Sequence, residues 1–327
     1  MPEASHPTHL DPSELGTKEY WDEYYERDLN GGDEADEDDS GEEPPDPSEL
    51  DSWFDDVDAP AKTLAFLTST TFPLSPNYSG RENDELDRLD NASPAVLDLG
   101  TGNGSALFSL HLHGGYTAAR VVGVDYSRRS IELAEKLRLQ YSAHWASSPT
   151  HENETASATA AAPLHNISFY TFDVINEDPK VQEWWPRGDS DCDPDSTTDP
   201  IPKGAGFDLV LDKGTFDAIS LSSDRAVDPT KGLERRICEL YPTKVLAMTR
   251  LGGFLLVTSC NWTESEVISW FTGGADGANI VAPQQEQRED SSPRFEVYDT
   301  LKYPVFEFGG QKGQGVATVC FKKVAGR

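Results

Sequence analysis

Residues 95 to 104, Ala-Val-Leu-Asp-Leu-Gly-Thr-Gly-Asn-Gly, run from a short apolar stretch directly into a turn containing three glycines. An apolar run of this kind suits a strand buried on both faces of a parallel sheet. Glycines at its end let the backbone pass close to a ligand, and a helix beginning near Ser105 would present free N–H groups there. In open α/β sheets ligands bind at that carboxyl edge of the strands, so this one segment predicts an α/β fold with a nucleotide-like ligand.

The identity of the ligand turns on the neighbouring side chains. A dinucleotide fingerprint wants Gly-x-Gly-x-x-Gly to admit a pyrophosphate, whereas the third such position here is Ser105 and Asp98 stands just before the turn. A carboxylate there repels phosphate and suits the cationic ammonium and sulfonium of S-adenosylmethionine. Asp125, about 20 residues beyond the glycines at the tip of the second expected strand, can accept from both ribose hydroxyls. Asp173, after Phe169-Tyr170-Thr171-Phe172, is placed to meet the adenine amino group. Each of these acids has a plainer alternative as a helix cap or turn residue; three of them ending three successive strands make a constellation.

The rest of the chain alternates strand with helix. Ala95 to Leu99, Arg120 to Asp125, Asn166 to Phe172, Phe207 to Asp212 and Gly253 to Ser259 read as buried strands, and Ser127 to Tyr141 as a helix capped by Ser127. Arg294 to Tyr303 and Gly315 to Lys322 follow one another without an intervening helix, joined through the Gly309-Gly310 region, and read as an antiparallel pair. The expected fold is therefore an α/β, Rossmann-like, seven-stranded and mostly parallel sheet of the class I methyltransferase type, closed by a C-terminal antiparallel hairpin. Residues 1–30 are expected to hold an N-terminal helix (Thr17 to Leu29), 31–51 an acidic disordered loop, and 52–327 a methyltransferase domain with insertions near 142–163, 187–206 and 272–293.

Charge and cysteine usage narrow the partners. The 58 acidic against 27 basic residues leave a formal charge of -31, which disfavours nucleic acid and anionic membrane surfaces and attracts a basic protein. No stretch approaches the roughly 20 apolar residues that span a bilayer, and the first residues lack a signal peptide, so a cytoplasmic location is expected, with the nucleus also compatible. Cys192, Cys238, Cys260 and Cys320 are scattered without a Cys-x-x-Cys pair and read as reduced thiols rather than metal ligands.

Two further segments leave the same expected sheet edge as the glycine turn. They are Asp212-Lys213-Gly214-Thr215-Phe216-Asp217-Ala218-Ile219 and Thr258-Ser259-Cys260-Asn261-Trp262-Thr263. Together with Ser13 to Asp22 (SELGTKEYWD), VLDLGTGNG, VDYS at 124 to 127 and FEFGGQKGQGVA at 306 to 317, they make the chain resemble the elongation factor 1-alpha lysine methyltransferases. The chain departs from that family in a longer acidic stretch before Trp53-Phe54-Asp55-Asp56. The resemblance implies S-adenosylmethionine as donor, a lysine of translation elongation factor 1-alpha as acceptor, and an N-terminal helix that covers the cofactor and lines the lysine entry. On it the donor site is expected at Asp98, Gly100, Thr101, Gly102, Asn103, Gly104, Asp125, Tyr126, Ser127, Asp173, Val174, Asp212, Lys213 and Gly214. The acceptor side is expected at Asp212, Tyr20, Trp21, Asn261 and Trp262, with no metal.

A lysine of pKa about 10.4 is neutral at pH 7 in only about one part in a few thousand, a deficit of roughly 4 to 5 kcal/mol for direct displacement on the sulfonium. A water-poor aromatic channel lowers the amine pKa, and a carboxylate aligns the arriving ammonium, which assigns Asp212 to acceptor orientation. The plainer alternatives are a packing role for Tyr20 and Trp21 and a turn for Asn261 and Trp262. Competing functions are a methyltransferase of the same fold acting on another protein or a small molecule, and a non-catalytic binding protein.

Overall fold

The computed structural model describes residues 9–30, 44–50, 52–80, 93–147, 164–187, 204–228, 232–273, 292–308 and 311–326. The chain divides into two compact units, one of Thr17–Asp173 and one of Met1–Gly16 with Val174–Arg327. The acidic run from 31 to 43, most of the stretches expected as insertions, Cys192 and the Gly309-Gly310 turn lie outside the described residues.

In the first unit, α1 (Lys18–Leu29) is started by Thr17, whose side chain accepts the Tyr20 N–H, and it buries Trp21. Next come α2 (Ala59–Leu67), with proline in its first turn, then β1 (Ala95–Leu99), α3 (Ser105–Leu112), β2 (Arg120–Asp125), α4 (Arg128–Ser147) and β3 (Ile167–Thr171). β2 pairs in parallel with β1 on one side and with β3 on the other, placing Asp98 opposite Gly123 and Asp125 opposite Thr171. Helix α4 runs on to Ser147, so residues 142 to 147 belong to it and not to an insertion. Buried Tyr141 anchors this last stretch, with its ring 5.0 Å from Phe108 and its hydroxyl donated to the Pro45 carbonyl at 2.6 Å.

The strands and α-helices of the second unit start with β4 (Phe207–Lys213), α5 (Thr215–Ser220), β5 (Arg225–Val227) and β6 (Glu234–Arg236). It continues with α6 (Ile237–Met248), β7 (Thr249–Ser259), α7 (Glu264–Thr272), β8 (Arg294–Leu301), β9 (Val305–Phe308), β10 (Gln311–Gln314) and β11 (Ala317–Val324). β4 and β7 are parallel, and β11 lies antiparallel between β7 and β8. Thr263 and Glu266 form a reciprocal cap at the start of α7, a motif that satisfies two otherwise unpaired N–H donors.

Within the first unit the strands run in the order β3-β2-β1, all parallel, and within the second in the order β4-β7-β11-β8, where β4 and β7 are parallel and β11 and β8 run antiparallel. The terminal pair is more elaborate than its sequence suggested: β8 and β11 do pair, but a separate β9–β10 ribbon intervenes between them. A second small ribbon, β5–β6, precedes α6, where Arg236 donates from its guanidinium to the carbonyls of Leu10, Ser220 and Ser222. That one side chain ties the segment before Gly16 to its own unit.

Candidate functional site

In the first unit the end of β1 is built for a ligand. Gly100, Gly102 and Gly104 all adopt left-handed backbone, with φ of 62°, 58° and 82°. At Gly102 a Cβ would lie 2.7 Å from the Tyr25 hydroxyl, and at Gly104 one would lie 2.8 Å from the Phe169 ring, so both positions need the bare backbone. The turn is held open by polar contacts. Thr101 donates its N–H to the Val124 carbonyl at 3.0 Å and its hydroxyl to Asp98 Oδ2 at 2.8 Å, while Asn103 Oδ1 accepts the Ser105 N–H at 3.1 Å.

Asp125 sits at the tip of β2 with one oxygen accepting the Gly102 N–H at 3.1 Å and the other the Ser127 N–H at 2.9 Å. Burial pushes its carboxyl up, and those backbone donors pull it back. Ser130 donates its hydroxyl to the Gly102 carbonyl at 2.8 Å, Ser127 to Asp22 Oδ1 at 2.7 Å, and Tyr126 to the Thr17 carbonyl at 3.2 Å. Asp173 follows buried Phe172, whose N–H is donated to the Asp125 carbonyl at 2.8 Å, so it closes β3 beside the tip of β2; Val174 follows it as the first residue of the other unit.

This set fits S-adenosylmethionine. Asp98 and Asp125, at 3% and 6% exposure, are carboxyl groups, and they suit a cation and a diol better than a pyrophosphate. On α1, Tyr20 and Trp21 pack edge to face at 5.2 Å, and Trp21 also meets the Tyr25 ring at 6.1 Å and Trp53 at 5.1 Å. Tyr25 and Ser130 belong to this turn although the sequence did not single them out. Their signal was weak, a tyrosine doublet at 24 and 25 and one serine in a helix.

In the second unit the buried carboxylates Asp212 and Asp217 stand near the ends of β4 and β7. Asp212, 1% exposed near the end of β4, accepts the N–H groups of Thr215 at 2.9 Å and Phe216 at 3.1 Å on one oxygen and the Tyr241 hydroxyl at 2.8 Å on the other. Burial pushes its carboxyl up to about 7 against those donors. Lys213 ends the strand and Gly214, in left-handed backbone, turns the chain into α5. Asp217, fully buried on α5, accepts from the Ser259 hydroxyl, the Cys260 N–H at 2.8 Å and the Asn261 N–H at 3.4 Å, so it shapes the loop after β7.

Within that loop Asn261 is half-buried, while Trp262 is 5% exposed, donates its indole N–H to Ser220 Oγ at 3.2 Å and stacks on Phe216 at 6.2 Å. Asp217 and Tyr241 thus organise this region without having been expected. Among the described residues, no group of three His, Cys, Asp or Glu could hold a metal ion, and no helix is long and apolar enough to cross a membrane.

The sheet and its glycine turn define a class I methyltransferase, and residues 90–180 match the family described as a methyltransferase domain. Nearly the whole chain is similar to the protein-lysine N-methyltransferase efm4 of Schizosaccharomyces pombe, 30% identical over 322 residues that cover 96% of this chain and 95% of that one. It is also similar to the protein-lysine N-methyltransferase EFM4 of Saccharomyces cerevisiae, 29% identical with 96% of each chain covered. The mouse protein named EEF1A lysine methyltransferase 2 is 28% identical, over 95% of this chain and 85% of that one. The chain belongs to this family of protein-lysine N-methyltransferases, enzymes whose methyl donor is S-adenosylmethionine.

Proposed function

We propose that this chain transfers methyl groups to a lysine side chain of translation elongation factor 1-alpha. The observation that carries the reading is likeness along almost the full length to relatives whose names include lysine methylation of EEF1A. A formal charge of -31 supports a basic protein partner over nucleic acid, and the reading places the enzyme in the cytoplasm with its substrate.

When bound, the donor supplies an electrophilic methyl group on a sulfonium. The work left to the chain is to bind that donor, to deliver an uncharged amine and to keep water away. We assign donor binding to Asp98, the turn from Gly100 to Gly104, Asp125, Tyr126, Ser127, Asp173, Val174, Lys213 and Gly214. Asp212 is assigned to the acceptor: a carboxyl held near 7 by burial ionises readily when an ammonium approaches and then orients it. Tyr20, Trp21 and Asn261 are assigned to the amine's path, and Trp262 supports the loop that carries Asn261.

The test is incubation of the purified chain with S-adenosylmethionine and unmethylated elongation factor 1-alpha, followed by peptide mass spectrometry. One lysine gaining methyl masses is expected. An unmodified substrate in the presence of a folded chain that binds S-adenosylhomocysteine would remove the substrate assignment while leaving the donor site intact.

A further inference from the structure

Helix α1 does more than cover apolar surface, and the residue that shows it is Tyr25. Its hydroxyl reaches the glycine turn, 2.7 Å from where a Cβ on Gly102 would stand. Its ring is half-buried and held by Trp21 at 6.1 Å and by Tyr24, edge to face, at 5.1 Å, so the phenol is aimed at the turn by packing on its own helix. Three contacts then fix α1 to the turn after β2 and the start of α4: Tyr126 to the Thr17 carbonyl, Ser127 to Asp22, and the Arg129–Glu26 ion pair at 3.5 Å. These contacts involve the N-cap and the second and third turns of the helix, and they bracket Tyr25.

We propose that Tyr25 is a donor-binding residue, its phenol giving a hydrogen bond to a ribose oxygen of the nucleoside whose hydroxyls are accepted by Asp125. The inference rests on the donor-site reading above. Asp125 is acceptor-only when ionised, so a diol bound by it alone has its own oxygens unserved. A phenol beside that carboxylate supplies the missing donor. Desolvation, and after it the negative charge of Asp125, push the Tyr25 hydroxyl well above its ordinary value, so it stays protonated and can donate at every pH at which the protein is used.

Calorimetric titration of the full chain with S-adenosylhomocysteine tests this, using Tyr25→Phe, which keeps the ring and its packing, and Tyr24→Phe as a control. Tyr25→Phe should bind about three- to tenfold more weakly with the melting temperature of the free protein unchanged, and Tyr24→Phe should bind like the wild type. The loss should persist with 5′-methylthioadenosine, which keeps the ribose and lacks the amino acid portion. Equal or tighter binding by Tyr25→Phe overturns the proposal, and a loss that disappears with methylthioadenosine overturns the ribose assignment. Absence of binding by the wild-type chain would overturn the donor site itself, a failure separable from the other two.

Discussion

The turn after β1 and the loop after β7 each shape the chain beyond the end of a strand, by different means. The first is built mainly from backbone: glycines with positive φ, the Gly102 N–H donated to Asp125, and the Gly102 carbonyl, which accepts the Ser130 hydroxyl. The second is built around one buried side chain, Asp217, which gathers a hydroxyl and two N–H groups. A turn made from backbone is written into a short local string of residues. A loop folded around a carboxylate from another helix depends on a contact between residues more than 40 positions apart in the chain.

The comparison breaks most visibly at Asp217. Asp217→Ala leaves the buried Ser259 hydroxyl and two half-buried backbone N–H groups without their acceptor and should cost about 2 to 4 kcal/mol of folding stability, read by denaturant unfolding, whereas Asp217→Asn should cost much less. A loss below about 1 kcal/mol for the alanine variant would show that the loop does not depend on it.

Asp212 offers a pH test of the same region. Its folded carboxyl, near 7, lies above the unfolded value near 3.9, so the chain unfolded at pH 5 to 6 has released a proton that the folded chain keeps. The contribution is fully present below about pH 4 and is lost as pH rises toward 7, a change on the order of a few kcal/mol. Asp212→Asn should flatten this slope in thermal melts between pH 4 and 8, and should lower kcat with S-adenosylhomocysteine affinity kept. Normal turnover in the variant would sink the assignment of Asp212 to the acceptor.

At the backbone-built turn the expected effects are smaller and fall on the donor. Asp125→Ala should weaken S-adenosylhomocysteine binding by about 1 to 3 kcal/mol, measured by calorimetry. Gly102→Ala should cost about 1 to 2 kcal/mol of stability for its positive φ and reduce donor affinity by displacing the Tyr25 hydroxyl. Unchanged affinity in Gly102→Ala would mean that the turn tolerates a side chain and that Tyr25 can retreat from it.

The sequence by itself determined the parts whose physics is local. Ala95–Leu99 and Arg120–Asp125 are the strands their apolar runs announced, Thr17 caps a helix to Leu29, and Asp98 and Asp125 stand at the glycine turn. Period and turn chemistry act over a few residues and can be read from the string. Only the tertiary structure decided that Trp262 packs on Phe216, that Tyr241 and Asp217 serve buried carboxyl and loop, that α4 runs on to Ser147, and that Tyr25 reaches Gly102. Each of those rests on a side chain meeting a partner distant in sequence, and burial and hydrogen-bond satisfaction between such partners leave no periodic trace in the chain.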